Sequence, residues 1–176
     1  MVWTALRLSL ALAVAAVICS GSSAASANLA TVCKKADHQD LCYSAAKHIF
    51  KTETITPAGA TKASILVTLD STKQAKNMAT TMTVKVKSKD SMESANFNVC
   101  LQLYDDAIRN LQKSLENLSD GALSDLKINL SAVLTDYSTC DDAFAEVPGL
   151  ASPLGKINSQ LNMLTRNNLA LASVLQ

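Results

Sequence analysis

The 176-residue chain carries 16 Lys+Arg against 15 Asp+Glu, with 2 histidines and 4% aromatic residues. Charge this evenly balanced gives no global drive toward nucleic acid, and so few rings make no stacking platform for bases or sugars. His38 and His48, without a nucleophile elbow or a Cys-x-x-Cys, support neither a Ser-His-Asp arrangement nor a zinc site, so no enzyme, metal or cofactor is expected.

The opening "MVWTALRLSLALAVAAVICSGSSAASA" has one cation, Arg7, then an apolar run from Leu8 to Cys19 and a small-residue tract ending at Ala27. It reads as a secretory signal peptide over residues 1–27, too short and wrongly flanked for a membrane span. Cleavage after Ala27 leaves residues 28–176 as one domain with no second apolar stretch, hence a secreted, extracellular protein with no membrane partner. Cys19 leaves with the leader, and Cys33, Cys42, Cys100 and Cys140 remain in an oxidising compartment. Two disulfides are expected, with three pairings open.

Glycine and proline then punctuate the chain into helical intervals without strand alternation, which predicts an all-α fold. Residues 28–50 form a short interval with Cys33 and Cys42 around a polar "KKADHQD". Two short helices folded back on one another would bring these sulfurs together, a link worth about 2.5 to 3 kcal/mol in the chain-entropy model. The next interval starts at Pro57 and runs to about Lys89 on a thin stripe of Ile65, Leu69, Thr72, Ala75, Ala79, Met82 and Val86. Its "TVKVKSK" alternates like a strand, but a long helix ending in a "KSKDS" loop is preferred.

The third interval has a cleaner apolar face, Phe97, Cys100, Tyr104, Ile108, Leu111, Leu115 and Leu118. The fourth is close to a heptad repeat, Leu123, Leu126, Leu130, Val133, Tyr137, Cys140 and Phe144. Between them "SDG" offers Ser119 or Asp120 as a helix cap, and an antiparallel turn there would set Cys100 level with Cys140. The last interval opens with Ser152 as cap and Pro153 at the first helical position, then repeats Leu154, Ile157, Leu161, Leu164, Asn168, Leu171 and Leu175. Asn168 is expected to be a register-setting polar residue in the core. The whole reads as an up-down-up-down four-helix bundle over 57–176, preceded by a disulfide-linked N-terminal helical hairpin.

The Cys33 to Cys42 hairpin, "CLQLYDDAIRNLQKSL" from Cys100, "LSAVLTDYSTCDDAF" from Leu130 and "RNNLALASVL" from Arg166 together resemble the plant invertase and pectin methylesterase inhibitor family. The resemblance implies a protruding hairpin, disulfides joining first to second and third to fourth cysteine, and a proteinaceous inhibitor in the apoplast and cell wall. In such proteins a pectin methylesterase is covered by the side of the bundle, whereas an acid invertase receives a Pro-Lys-Phe turn between the last two helices. The corresponding "EVPGLASPLGK" here contains no Pro-Lys-Phe, so pectin methylesterase is the expected partner and acid invertase the alternative.

The candidate interface is the polar face of the third interval, Asp106, Arg109, Gln112, Lys113 and Glu116, with Thr135 and Asp136 of the fourth. Thr135 matches a threonine that resembling inhibitors place ahead of the fourth cysteine. A rival reading is a non-inhibitory wall protein, because Lys73, Lys76, Lys85, Lys87 and Lys89 could contact acidic pectin. Two glycosylation sequons complete the reading: Asn117, beside a turn and favoured, and Asn129, within a helix.

Overall fold

The computed structural model describes residues 26–86 and 91–176. Nearly all of the assigned signal peptide, and Lys87 and Lys89 of the basic stretch, lie outside the described residues. Among those described, the elements run β1 (Ala27–Asn28), α1 (Leu29–Cys33), α2 (Gln39–Phe50), β2 (Thr54–Ile55), α3 (Pro57–Lys85), α4 (Met92–Asp120), α5 (Leu123–Ala145) and α6 (Gly155–Ser173). The short antiparallel pair, Ala27 opposite Ile55 and Asn28 opposite Thr54, was not anticipated, because two residues are too few to show alternation.

Local chemistry accounts for most helix ends. Thr56 caps α3 by accepting from Gly59 N at 3.0 Å, with Pro57 at the first helical position. "TVK" continues α3 to Lys85 rather than forming a strand. Ser91 caps α4, accepting from Ser94 N at 3.2 Å. Two expected caps are corrected. Ser119 and Asp120 belong to α4 itself, which Gly121 closes in the left-handed region at φ 72°, and α5 starts at Leu123 with no side-chain cap. At the last helix, Ser152 Oγ accepts from Leu154 N at 3.2 Å within a turn, so Pro153 precedes the helix and α6 begins at Gly155.

The long helices close a ring in which α3 and α5 each pack on both α4 and α6. Cys100, early in α4, is bonded to Cys140, late in α5, with Cα atoms 4.8 Å apart. Asn158 at the start of α6 reaches Asp141 at the end of α5, and Asn168 near the end of α6 reaches Thr68 in the first half of α3. These pairings link α4 to α5, α5 to α6 and α6 to α3. The α4/α5 interior holds Phe97 edge-on to Phe144 at 5.2 Å, together with buried Tyr104, Leu111, Leu126, Leu130, Val133 and Tyr137.

The hairpin is closed by Cys33–Cys42. The expectation that it protrudes is corrected: Leu29, Val32, Ala36 and Ala46 share a second apolar cluster with Ile55, Ala60 and Ala63, and with Leu171 of α6. Asn167 fastens it further, accepting from His38 N at 2.7 Å and donating to His38 O at 2.8 Å. Apolar burial and this double hydrogen bond hold α1 and α2 against α3 and α6.

Candidate partner-binding face

Burial of Tyr104, Ala107, Leu111 and Ser114 fixes the rotation of α4. Three-and-four spacing then turns Asp106, Arg109, Lys113 and Glu116 outward as one stripe, with Gln112 on its flank. Arg109 is ion-paired with Asp106, and their side chains are 66% and 46% exposed, so the pair is a surface feature that adds little stability. On α5, Asp136 is half-buried at the seam with α4 and accepts from Asn110 Nδ2 at 3.4 Å. Burial raises the Asp136 carboxyl above its ordinary range, opposed by that hydrogen bond and by Arg109. Asp106, Arg109 and Asp136 therefore form one charged group around Asn110. Thr135 is exposed beside them, its hydroxyl donating to Ser131 O at 3.3 Å. No hydrogen bond among the described residues joins Gln112, Lys113 or Glu116 to α5.

The backing of this face is fixed. Tyr104 donates to Asn158 Oδ1 at 2.6 Å, and Asn158 Nδ2 donates to Asp141 Oδ1 at 2.7 Å. Thr72 gives its proton to Thr68 O, so Tyr137 OH is the donor in the 2.6 Å bond to Thr72 Oγ1. Desolvation pushes both phenols up, and they stay protonated as donors. With the Cys100–Cys140 bond, these links let α4 and α5 present their outer surface at little ordering cost.

Sequence reasoning missed Asn110, and also a groove of about 500 Å³ at one end of the same seam. Met92, Asn96 and Val99 of α4 line it, with Thr139, Asp142 and Ala143 of α5 and Glu146 and Val147 beyond. Met92 and Val99 are 62% and 38% exposed. Their signal lay in two apolar residues off the Phe97, Cys100 and Tyr104 stripe.

Two further expectations change. Asn117 is 8% exposed and its Nδ2 is buried without a partner, so a glycan there would have to displace packing. Asn129 is partly exposed, which reverses the order of the two sequons. In the basic stretch, Lys76 is tied to Asp105 at 2.6 Å, which leaves Lys73 and Lys85 exposed among the described residues. Between α5 and α6, Pro148 and Gly149 are exposed while Leu150 and Leu154 turn toward the core.

No helix among the described residues is long and apolar enough to cross a membrane, and no group of three or more His, Cys, Asp or Glu there could hold a metal ion. The family model described as plant invertase/pectin methylesterase inhibitor matches residues 27–171. The chain is 34% identical over 91 residues to a putative invertase inhibitor of Platanus orientalis, covering 51% of this chain and 54% of that protein. It is 33% identical over 91 residues to a putative invertase inhibitor of Platanus acerifolia, covering 51% of each. The chain thus spans about half the length of these curated relatives. Among solved structures it is similar to a pectin methylesterase inhibitor of Arabidopsis thaliana, with a TM-score of 0.63 at 19% identity over 84% of this chain and 95% of that one. At that identity the likeness shows the fold alone.

Proposed function

The chain belongs to the plant invertase/pectin methylesterase inhibitor family, whose members are inhibitors rather than enzymes, and we propose that its target is a pectin methylesterase of the cell wall. The observation that carries this choice is the α5–α6 connection. An invertase inhibitor of the resembling kind needs a cation and an aromatic ring at the tip of that turn. Here the tip is Pro148-Gly149, and the large apolar residues that follow, Leu150 and Leu154, point inward. Pro148 and Gly149 offer neither a cation nor an aromatic ring at that tip.

The α4/α5 face supplies the alternative surface. Its outward stripe mixes Arg109 and Lys113 with Asp106 and Glu116, and the two cations are the groups that a cleft lined by carboxylates would attract. Inhibition needs no chemistry from this chain: a rigid flank covering about 1,600 Å² in total would exclude the polysaccharide. The curated relatives are named putative invertase inhibitors, which favours acid invertase as the second reading.

Titrating the oxidised protein against a pectin methylesterase and an acid invertase in parallel decides between them. Stoichiometric loss of esterase activity with invertase untouched is expected. The converse would move the target to invertase, and full activity of both would remove the inhibitor reading.

A further inference from the structure

Both sequons lie on the α4/α5 pair, and burial separates them. Asn117 Nδ2 is buried with no hydrogen-bond partner among the described residues, so that amide has no room for a sugar in the folded protein. Asn129 is partly exposed, next to exposed Ile128, and Ser131 of its own sequon is exposed too, its hydroxyl donating to Lys127 O at 2.8 Å. The buried residues of α5, Leu126, Leu130, Val133 and Tyr137, fix where Asn129 stands. It precedes Asp136 by two helical turns and so shares a side of α5 with it. Asp136 is the residue that meets Asn110 of α4, which puts Asn129 on the α4 side of α5, about 10 Å along the helix from the charged group of Asp106, Arg109 and Asp136. The α5–α6 turn is at the other end: Ala145, where α5 stops, is about 24 Å further on at 1.5 Å per residue.

We propose that Asn129 carries an N-linked glycan and that this glycan gates the α4/α5 flank, closing it to a target while leaving the α5–α6 turn open. The gating rests on the inhibitor reading; the glycan rests on the sequon and its exposure. In the secretory route that the expected leader gives access to, the Asn129 amide nitrogen attacks the anomeric carbon of an oligosaccharide carried on a lipid pyrophosphate. A C–N bond forms, the C–O bond to the phosphate breaks, the lipid pyrophosphate leaves with that electron pair, and the nitrogen gives up one proton. Transfer to the unfolded chain precedes helix formation, so the place of Asn129 within α5 is no obstacle. The product is bulky and hydrated. A flank that must meet its target over about 1,600 Å² in total cannot keep that contact with an oligosaccharide rooted about 10 Å from its charged group.

The full chain with its leader is produced in plant cells, and again in a bacterial host that adds no N-glycan, refolded with both disulfides closed. Peptide mass mapping of the plant product should find the glycan on Asn129. Ser131→Ala from plant cells destroys that sequon and should return the protein to its unmodified mass, whereas Ser119→Ala, which destroys the other sequon, should leave the glycan in place. Ser131 is exposed, so its variant should fold, and the bacterial product supplies an unglycosylated parent without any substitution. Against the enzyme that the bacterial product inhibits, the glycosylated protein should be at least tenfold weaker, with Ser131→Ala matching the bacterial product. An unmodified Asn129 in the plant product would overturn the proposal. Equal inhibition by glycosylated and unglycosylated protein would overturn the gating while leaving the inhibitor reading intact. A bacterial product that inhibits neither enzyme would remove the inhibitor reading, and the glycan would then stand on the mass map alone.

Discussion

The α4/α5 pair and the α3/α6 pair bury their inner faces with a different mix of residues: large and aromatic side chains dominate the first, and small and polar ones are frequent in the second. Between α4 and α5 lie Phe97, Phe144, Tyr104, Tyr137 and several leucines, cross-linked by Cys100–Cys140. The inner faces of α3 and α6 bury Ile65, Leu69, Leu161, Leu164 and Leu171, and add to them Ala63, Ser64, Thr68, Thr72, Ala75 and Ala79 on α3 and Thr165, Asn167, Asn168 and Ala172 on α6. Small and hydroxylic residues let helices approach closely, but each buried polar atom has to find a partner. Asn168 Nδ2 donates to Thr68 Oγ1 at 3.0 Å, while Asn168 Oδ1 and Ser64 Oγ have none among the described residues. One half of the bundle is braced by a disulfide, and the other has buried polar groups in place of a covalent link. The proposed binding face sits on the braced half.

The largest effect should come from the brace itself. Cys100→Ser/Cys140→Ser should lose about 4 kcal/mol in denaturant unfolding, because its 40-residue separation closes the longer loop. Cys33→Ser/Cys42→Ser, with a separation of 9, should lose about 2.5 kcal/mol. Equal losses, or a greater loss from the hairpin, would break the contrast between brace and periphery.

The two core asparagines sharpen it next. Asn158→Ala strands Tyr104 OH and an Asp141 oxygen, and should cost about 2 to 3 kcal/mol in the same unfolding measurement. Asn168→Leu removes an amide whose oxygen is already without a partner, and should cost less than about 1 kcal/mol. If Asn168→Leu proves the more damaging, the bond from α6 to α3 carries more of the stability than the bonds from α6 to α4 and α5.

A smaller effect follows from Asp141. Burial leads the causes that raise its carboxyl above the ordinary 3.8, followed by the opposing Asn158 bond and the raising effect of Asp142. The folded state therefore holds this proton more readily than the unfolded chain does. The stability it contributes is fully present below the unfolded value and lost as pH rises through the raised folded value. Asp141→Asn keeps an oxygen for Asn158 Nδ2 and should stabilise more near neutral pH than near pH 3.5, read as a difference in Tm. A pH-independent difference would contradict the sign.

The contrast between the two halves also explains what was legible in the sequence. The α5 stripe from Leu126 to Phe144 is periodic, wholly apolar and buried at every expected turn, so helix, rotation and cysteine placement could be read together. In α3 the expected stripe from Ile65 to Ala79 is buried as well, but Ser64 and Thr68, equally buried, gave no apolar signal. In α6 Asn158 and Asn167 were hidden in the same way, although they hold the core network and the hairpin. The seat of the hairpin depends on pairing His38 with Asn167, a separation of 129 residues that no local pattern encodes. On the proposed binding face, charge and helical spacing pick out the outward stripe, whereas the groove at its end exists only once α4 and α5 are set side by side.

The proposed inhibition places the flank of α4 and α5, and not the α5–α6 turn, against the target. Residual pectin methylesterase activity should be measured against increasing amounts of the parent protein, of Arg109→Ala/Lys113→Glu and of Pro148→Ala. Inhibition should be at least tenfold weaker for Arg109→Ala/Lys113→Glu at unchanged Tm, with Pro148→Ala matching the parent. Inhibition lost in Pro148→Ala and kept in Arg109→Ala/Lys113→Glu would contradict it.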